Sequence, residues 1–114
     1  MSINYDINEK YNCVVIQLSG KIMGGPDAKT FRKDLDELIE EGKKNVIIDL
    51  SNVKFMNSSG LGILVGGLKK MKEAGGDLKI SGATDKIDSL LMVSQLTKIF
   101  DDYDTLDEAV AAYH

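Results

Sequence analysis

The run Val46-Ile47-Ile48-Asp49-Leu50 puts apolar side chains on both faces of an extended strand. Such a strand is stable only between two covering layers, as in a sheet flanked by helices, because either bare face would leave aliphatic side chains in water. The neighbouring segments supply those layers. Ala28, Phe31, Leu35, Leu38 and Ile39 recur at helical spacing between Pro26, suited to a first helical position, and Gly42, suited to a helix end. Leu61, Ile63, Leu64, Val65, Leu68 and Met71 predict a second helix, closed by Gly75-Gly76 and capped by Ser58 or Ser59. A short connection through Val53, Phe55 and Met56 joins it to the central strand.

Upstream, Ile3, Tyr5 and Ile7 alternate with polar residues. Cys13 to Leu18 is a second strand-like run, and the polar stretch from Asn8 to Asn12 between them predicts an antiparallel hairpin. Downstream come a strand at Leu78-Lys79-Ile80-Ser81, a short helix carrying Ile87, Leu90 and Leu91, and an edge strand at Ile99-Phe100. Thr105 and Glu108 form a capping box that opens a terminal helix. Strands alternating with helices after a hairpin predict a single α/β domain spanning residues 1–114. Its sheet is mixed and parallel in its central part, with about four helices that need not cover both faces equally.

The net charge of −4, with basic residues scattered along the chain, argues against a nucleic-acid binder. Lys69, Lys70 and Lys72, the densest basic group, fall in the last turns of the second predicted helix, where cations complement its dipole. The first residues have neither a basic region nor an apolar run, and no stretch approaches membrane-spanning length, so a cytoplasmic protein without membrane association is expected. The single cysteine, Cys13, lies in an apolar run and reads as core; Tyr5, Tyr11 and Tyr103 read as half-buried rim residues.

The window from Asp49 to Gly62, DLSNVKFMNSSGLG, contains choices that folding alone does not explain. Two adjacent serines stand at a strand-to-helix junction, where unpaired N–H groups and the positive end of the helix dipole meet solvent. Gly60, Gly62, Gly66 and Gly67 follow inside the helix, each costing about 0.8 to 1.0 kcal/mol relative to alanine. Close backbone approach, to the protein's own sheet or to a partner laid on the helix, would offset that cost.

Asn57-Ser58-Ser59-Gly60-Leu61-Gly62 resembles the hallmark of the STAS domains of bacterial anti-sigma factor antagonists. The resemblance extends to Leu18-Ser19-Gly20, to Val46–Leu50, to Phe55-Met56 and to the Gly-Gly after the helix. It implies a partner-switching cycle without catalysis. The unmodified protein would bind an anti-sigma factor that is also a serine kinase and so release a sigma factor. Phosphorylation of Ser58 would end the complex, and a PP2C-type phosphatase would reset it. The partner surface so implied comprises Asn57, Ser58, Ser59, Gly60 and Leu61, together with Met23 in the loop over residues 20–25. Two positions depart from the family pattern: Asn57 stands where relatives usually have aspartate, and Met23 where they often have an acidic residue.

No catalytic residue, metal ligand or cofactor is assigned. The only histidine, His114, is terminal, and Ser58 lacks a nucleophile elbow. No residue cluster has zinc or EF-hand spacing. Gly62 to Lys69 fails as a Walker motif, because the lysine does not follow the second glycine and the residues between are apolar. Asp49 reads as a hydrogen-bond acceptor that anchors the chain. The alternatives are a constitutive STAS scaffold that is never phosphorylated and, further away, a weak nucleotide-binding or NTP-hydrolysing domain. A monomer is expected.

Overall fold

The computed structural model describes residues 3–10, 13–24, 26–93 and 99–113. In chain order the elements are β1 (Ile3–Lys10), β2 (Cys13–Ile22), α1 (Pro26–Glu40), β3 (Asn45–Met56) and α2 (Ser58–Glu73), followed by β4 (Asp77–Ser81), α3 (Asp85–Val93), β5 (Asp101–Tyr103) and α4 (Leu106–Ala112). They form one five-stranded sheet in the order β1-β2-β3-β4-β5. The first pair is the expected antiparallel hairpin, with Ile7 opposite Ile16; the other three pairs are parallel. Tyr11 and His114 lie outside the described residues.

The double-faced pattern of β3 finds its cover. Val46, Ile48 and Leu50 join Val14, Ile16 and Leu18 of β2 and Leu78 and Ile80 of β4 on one face, where Phe31 and Leu35 of α1, Leu64 and Met71 of α2 and Leu91 of α3 bury them. On the other face Ile47, Cys13 and Val15 meet Ala109 and Val110 of α4. Three helices thus cover one side and a single short helix the other, the unequal coverage the pattern allows. Cys13 is core, and burial pushes its thiol pKa up.

Four boundaries differ from the sequence reading. β1 runs through Asn8 and Glu9 to Lys10, part of the stretch expected to connect the hairpin. β2 continues past Leu18-Ser19-Gly20 to Ile22, and β3 runs through Val53, Phe55 and Met56 where a connection was expected. The two extensions pair with each other, Gly20 with Val53 and Ile22 with Met56, across two shifts of register that alternation alone does not reveal. The edge strand is Asp101–Tyr103, not Ile99-Phe100. Phe100 is instead buried in the main core, and Lys79, paired with Asp101 in the register, bonds that carboxylate at 2.9 Å.

Lys79 is the one buried lysine among the described residues. Its ammonium also reaches Asp77 at 3.3 Å and lies 4.8 Å from the centre of the Tyr113 ring, so the cost of burying a cation is met by two carboxylates and an aromatic face. Burial works to lower its pKa, but the bonds to Asp101 and Asp77 outweigh it and hold the group above the ordinary lysine value. Tyr113 donates its hydroxyl to the Val46 carbonyl at 2.7 Å and ties the end of α4 to the sheet. Thr105 caps α4 as expected, the Glu108 N–H donating to Thr105 Oγ1 at 3.2 Å, while the Glu108 carboxylate accepts from the Thr105 hydroxyl at 3.1 Å.

A second acidic residue of β5 makes stability pH-dependent. Asp102 is pushed up to about 6 from 3.8, first by partial burial, then by its hydrogen bond to Asp88 and the charges of Asp88 and Asp104. Between those two values the folded chain holds a proton that the unfolded chain has released, so this group's contribution falls as pH rises through the window. Asp102→Asn should therefore match the parent protein's melting temperature near about pH 4 and exceed it above about pH 6, measured by calorimetry across that range.

Candidate functional site

The serine pair sits where β3 turns into α2, and a neighbouring strand holds that junction. The Asn57 N–H donates to the Ile22 carbonyl at 3.3 Å. Gly60 is buried against the same group: a Cβ at Gly60 would lie 2.0 Å from the Ile22 oxygen. Any side chain there would push the helix off β2. Gly24, in left-handed backbone at φ +90°, brings the loop after β2 against Ser59, where a Cβ would lie 2.8 Å from that of the serine.

The cap differs from the one expected. Asn57, in extended backbone, caps α2 by accepting the Gly60 N–H on Oδ1 at 2.7 Å. Its side chain reaches the third helical residue, as the best N-caps do, so neither serine is needed for that bond. Ser58 becomes the first residue of the helix. Both serine side chains are exposed, and neither hydroxyl has a hydrogen-bond partner among the described residues. The first turn carries no acidic residue. The result is an accessible hydroxyl at the positive end of a helix dipole, on backbone fixed from two sides.

Of the other residues assigned from sequence, Met23 is 38% exposed, and its neighbours Ile22 and Gly24 are the ones that touch the start of α2. Leu61 is buried in the main core. Gly60 and Leu61 therefore hold the helix in place, whereas Met23, Ser58 and Ser59 are exposed and Asn57 is half-buried among them. Phe55, read from sequence as part of a connection, is 43% exposed two residues before the cap. An apolar residue so close to a helix start was the available sign of it.

The helix glycines divide in two. Gly60 packs on β2, and Gly67 packs on Phe31 and Leu35 of α1, where a Cβ would come within 3.1 Å of both. Gly62 and Gly66 have nothing within 4 Å of an added Cβ and lie on the exposed side of the helix that begins with the serines. The protein's own packing explains the first two and not the second two.

Asp49 is not placed for catalysis. It is 4% exposed and accepts hydrogen bonds from Gln17 Nε2 at 3.0 Å, from the Ser51 N–H at 3.1 Å, and from the hydroxyls of Ser51 and Ser81. It links β2, β3 and β4, the anchoring role expected of it. Among the described residues no three His, Cys, Asp or Glu side chains gather to hold a metal, and no helix is long and apolar enough to cross a membrane.

Known proteins share this sequence pattern and this fold. The STAS domain pattern matches residues 4–109. The chain is 33% identical over 101 residues to the anti-sigma-B factor antagonist of Bacillus subtilis, covering 89% of this chain and 91% of that protein. Among solved structures, an anti-sigma factor antagonist from Mycobacterium paratuberculosis superposes with a TM-score of 0.82 at 26% identity, covering 97% of this chain and 93% of the other. The Bacillus cell fate determinant SpoIIAA in its phosphorylated form shares the fold with a TM-score of 0.74 at 20% identity, over 97% and 100% of the two chains. On the match over residues 4–109 and the identity to the Bacillus subtilis protein, the chain belongs to the STAS domain family.

Proposed function

We propose that this protein is a non-enzymatic anti-sigma factor antagonist. Unmodified, it binds an anti-sigma factor that is also a serine kinase, and phosphorylation of Ser58 ends the complex until a PP2C-type phosphatase restores the hydroxyl. The observation that carries the reading is the exposed, unbonded Ser58 side chain at the first position of α2, next to a cap supplied by Asn57. The names of relatives support the partner class: the Bacillus subtilis protein is an anti-sigma-B factor antagonist. A structural neighbour known in a phosphorylated form supports a modification that the fold tolerates.

A phosphoryl group adds about 1.5 to 2 negative charges and three strong acceptors. On this protein alone it meets the free N–H groups and the dipole of α2, so the fold persists. Inside a complex it would have to lose water without a prepared partner. Taking a complex from almost wholly bound to almost wholly free requires about 5.5 kcal/mol of differential binding, within the range that an unpaired, desolvated dianion supplies. Nothing need rearrange.

Gly62 and Gly66 add support from energetics. Two glycines inside a helix cost about 1 kcal/mol each, and this protein gains no packing from either. A partner laid along α2 beyond the serines is the remaining reason for a surface without side chains. Stability and function should thus part company here. Gly66→Ala should raise folding stability by about 0.5 to 1 kcal/mol in chemical denaturation. Gly66→Leu should stay folded yet bind the anti-sigma factor at least tenfold more weakly, and equal affinity would remove the glycines from the interface.

The switch itself is tested with the Ser58→Ala and Ser58→Asp variants, each used to capture its partner from source cells, with the captured protein identified by mass spectrometry. Ser58→Ala should retain an anti-sigma factor kinase and resist release on addition of ATP. Ser58→Asp should keep the parent melting temperature and capture little. Equal capture by the two variants would contradict the reading.

A further inference from the structure

Beside the serine pair, the surface has a chemistry opposite to the protein's net charge of −4. Two grooves meet at Lys86 on the first turn of α3. One, of about 810 Å³, is lined by Ser19, Asn52, Lys54 and Lys86, with Asp85 the one carboxylate among its described lining residues. The other, of about 300 Å³, is apolar apart from Lys86 and Ser89, and is lined by Phe55, Met56, Ile87, Leu90 and Val93. Phe55 is 43% exposed and Val93 83% exposed, and Lys54 and Lys86 are solvent-exposed with no ion-pair partner among the described residues. Lys54 adjoins Phe55 in β3, so the two grooves make one continuous track with cations at its middle and an apolar floor at one end. Met56, on that floor, immediately precedes the Asn57 cap.

We infer that this track receives an acidic, apolar-studded segment of the anti-sigma factor. Its large apolar side chains would seat between Phe55, Leu90 and Val93, and its carboxylates would pair with Lys54 and Lys86. The inference rests on the reading of the Ser58 face as the docking face, and three observations commit it to that occupant. The track's apolar end includes Met56, the residue that leads directly into the Asn57 cap of the serine helix. Its cations have no ion-pair partner among the described residues, so an acidic ligand gains ion pairs there without breaking any of theirs. The first turn of α2 has no acidic residue, and neither Asn57 nor Met23 carries a charge, so none of these residues opposes an acidic partner. The track also gives release a cause. A carboxylate-rich partner meets like charge in any phosphoryl group on Ser58, and like charges brought together across an interface cost several-fold to many-fold in affinity.

The test uses two blocked amphipathic peptides with identical leucine and phenylalanine positions, one carrying glutamates and the other lysines on the polar face. Amide chemical shifts of the isotope-labelled protein are followed during titration. The glutamate peptide should perturb the amides of Lys54, Phe55, Lys86 and Leu90, and bind more weakly as salt rises. In the Lys54→Gln/Lys86→Gln variant, its affinity should fall about tenfold, with the melting temperature unchanged. The lysine peptide should leave those amides in place. Equal binding of the two peptides, or no response of those amides to the glutamate peptide, would overturn the inference. The experiment needs neither the modification nor the anti-sigma factor. Its failure would leave the Ser58 switch intact, and failure of that switch would leave the track intact.

Discussion

The approach of Gly60 to the Ile22 carbonyl is the contact on which the rest of the site depends. A Cβ would lie 2.0 Å from that oxygen, and the same oxygen accepts the Asn57 N–H at 3.3 Å. One backbone group of β2 therefore fixes both the cap and the third residue of α2. Ser58, between them, has little freedom of position and full freedom of its hydroxyl. Nature's alternatives for such a junction, a flexible loop or a serine cap, would either blur the position of the serine hydroxyl or spend its oxygen on the helix.

That arrangement separates what keeps the protein folded from what it presents. Leu61, Leu64, Leu68 and Met71 turn inward from α2 and seal the main core, while Ser58, Ser59, Gly62 and Gly66 turn outward and contribute nothing to it. A charge can be added to the outer face without disturbing the inner one. Stability given up at the two open glycines is the kind of cost that recurs where a surface is kept for a partner. The cationic track beside it belongs to the same outward set.

The fold was largely legible in the sequence because hydrophobic period and punctuation agreed. The double-faced Val46–Leu50 run required a covered central strand, and the helical stripes of α1 and α2 provided the cover. What escaped was set by tertiary register. The late halves of β2 and β3 pair across two irregularities, so residues around Gly20 and Val53 looked like loops. β5 sits at Asp101–Tyr103, in line with an ion pair to Lys79 that no local pattern encodes. At the proposed site, the division of labour inside the motif depended on geometry that the order of residues does not carry. Asn57, a good cap by residue type, took that role from the serines, and Leu61 turned out to face the core. Lys54, Lys86 and Phe55 were invisible as a group because the sheet and α3, not the chain order, bring them together.

The central claim is that a phosphoryl group on Ser58 changes what the protein binds and not how it folds. The most direct measurement compares the wild-type chain with and without phosphate installed at Ser58, reading backbone amide spectra and the affinity for the isolated anti-sigma factor on the same samples. The account predicts shift changes confined to the start of α2 and the segments beside it, with affinity reduced by about ten-thousandfold. Undiminished affinity, or changes spread through the core strands, would contradict it.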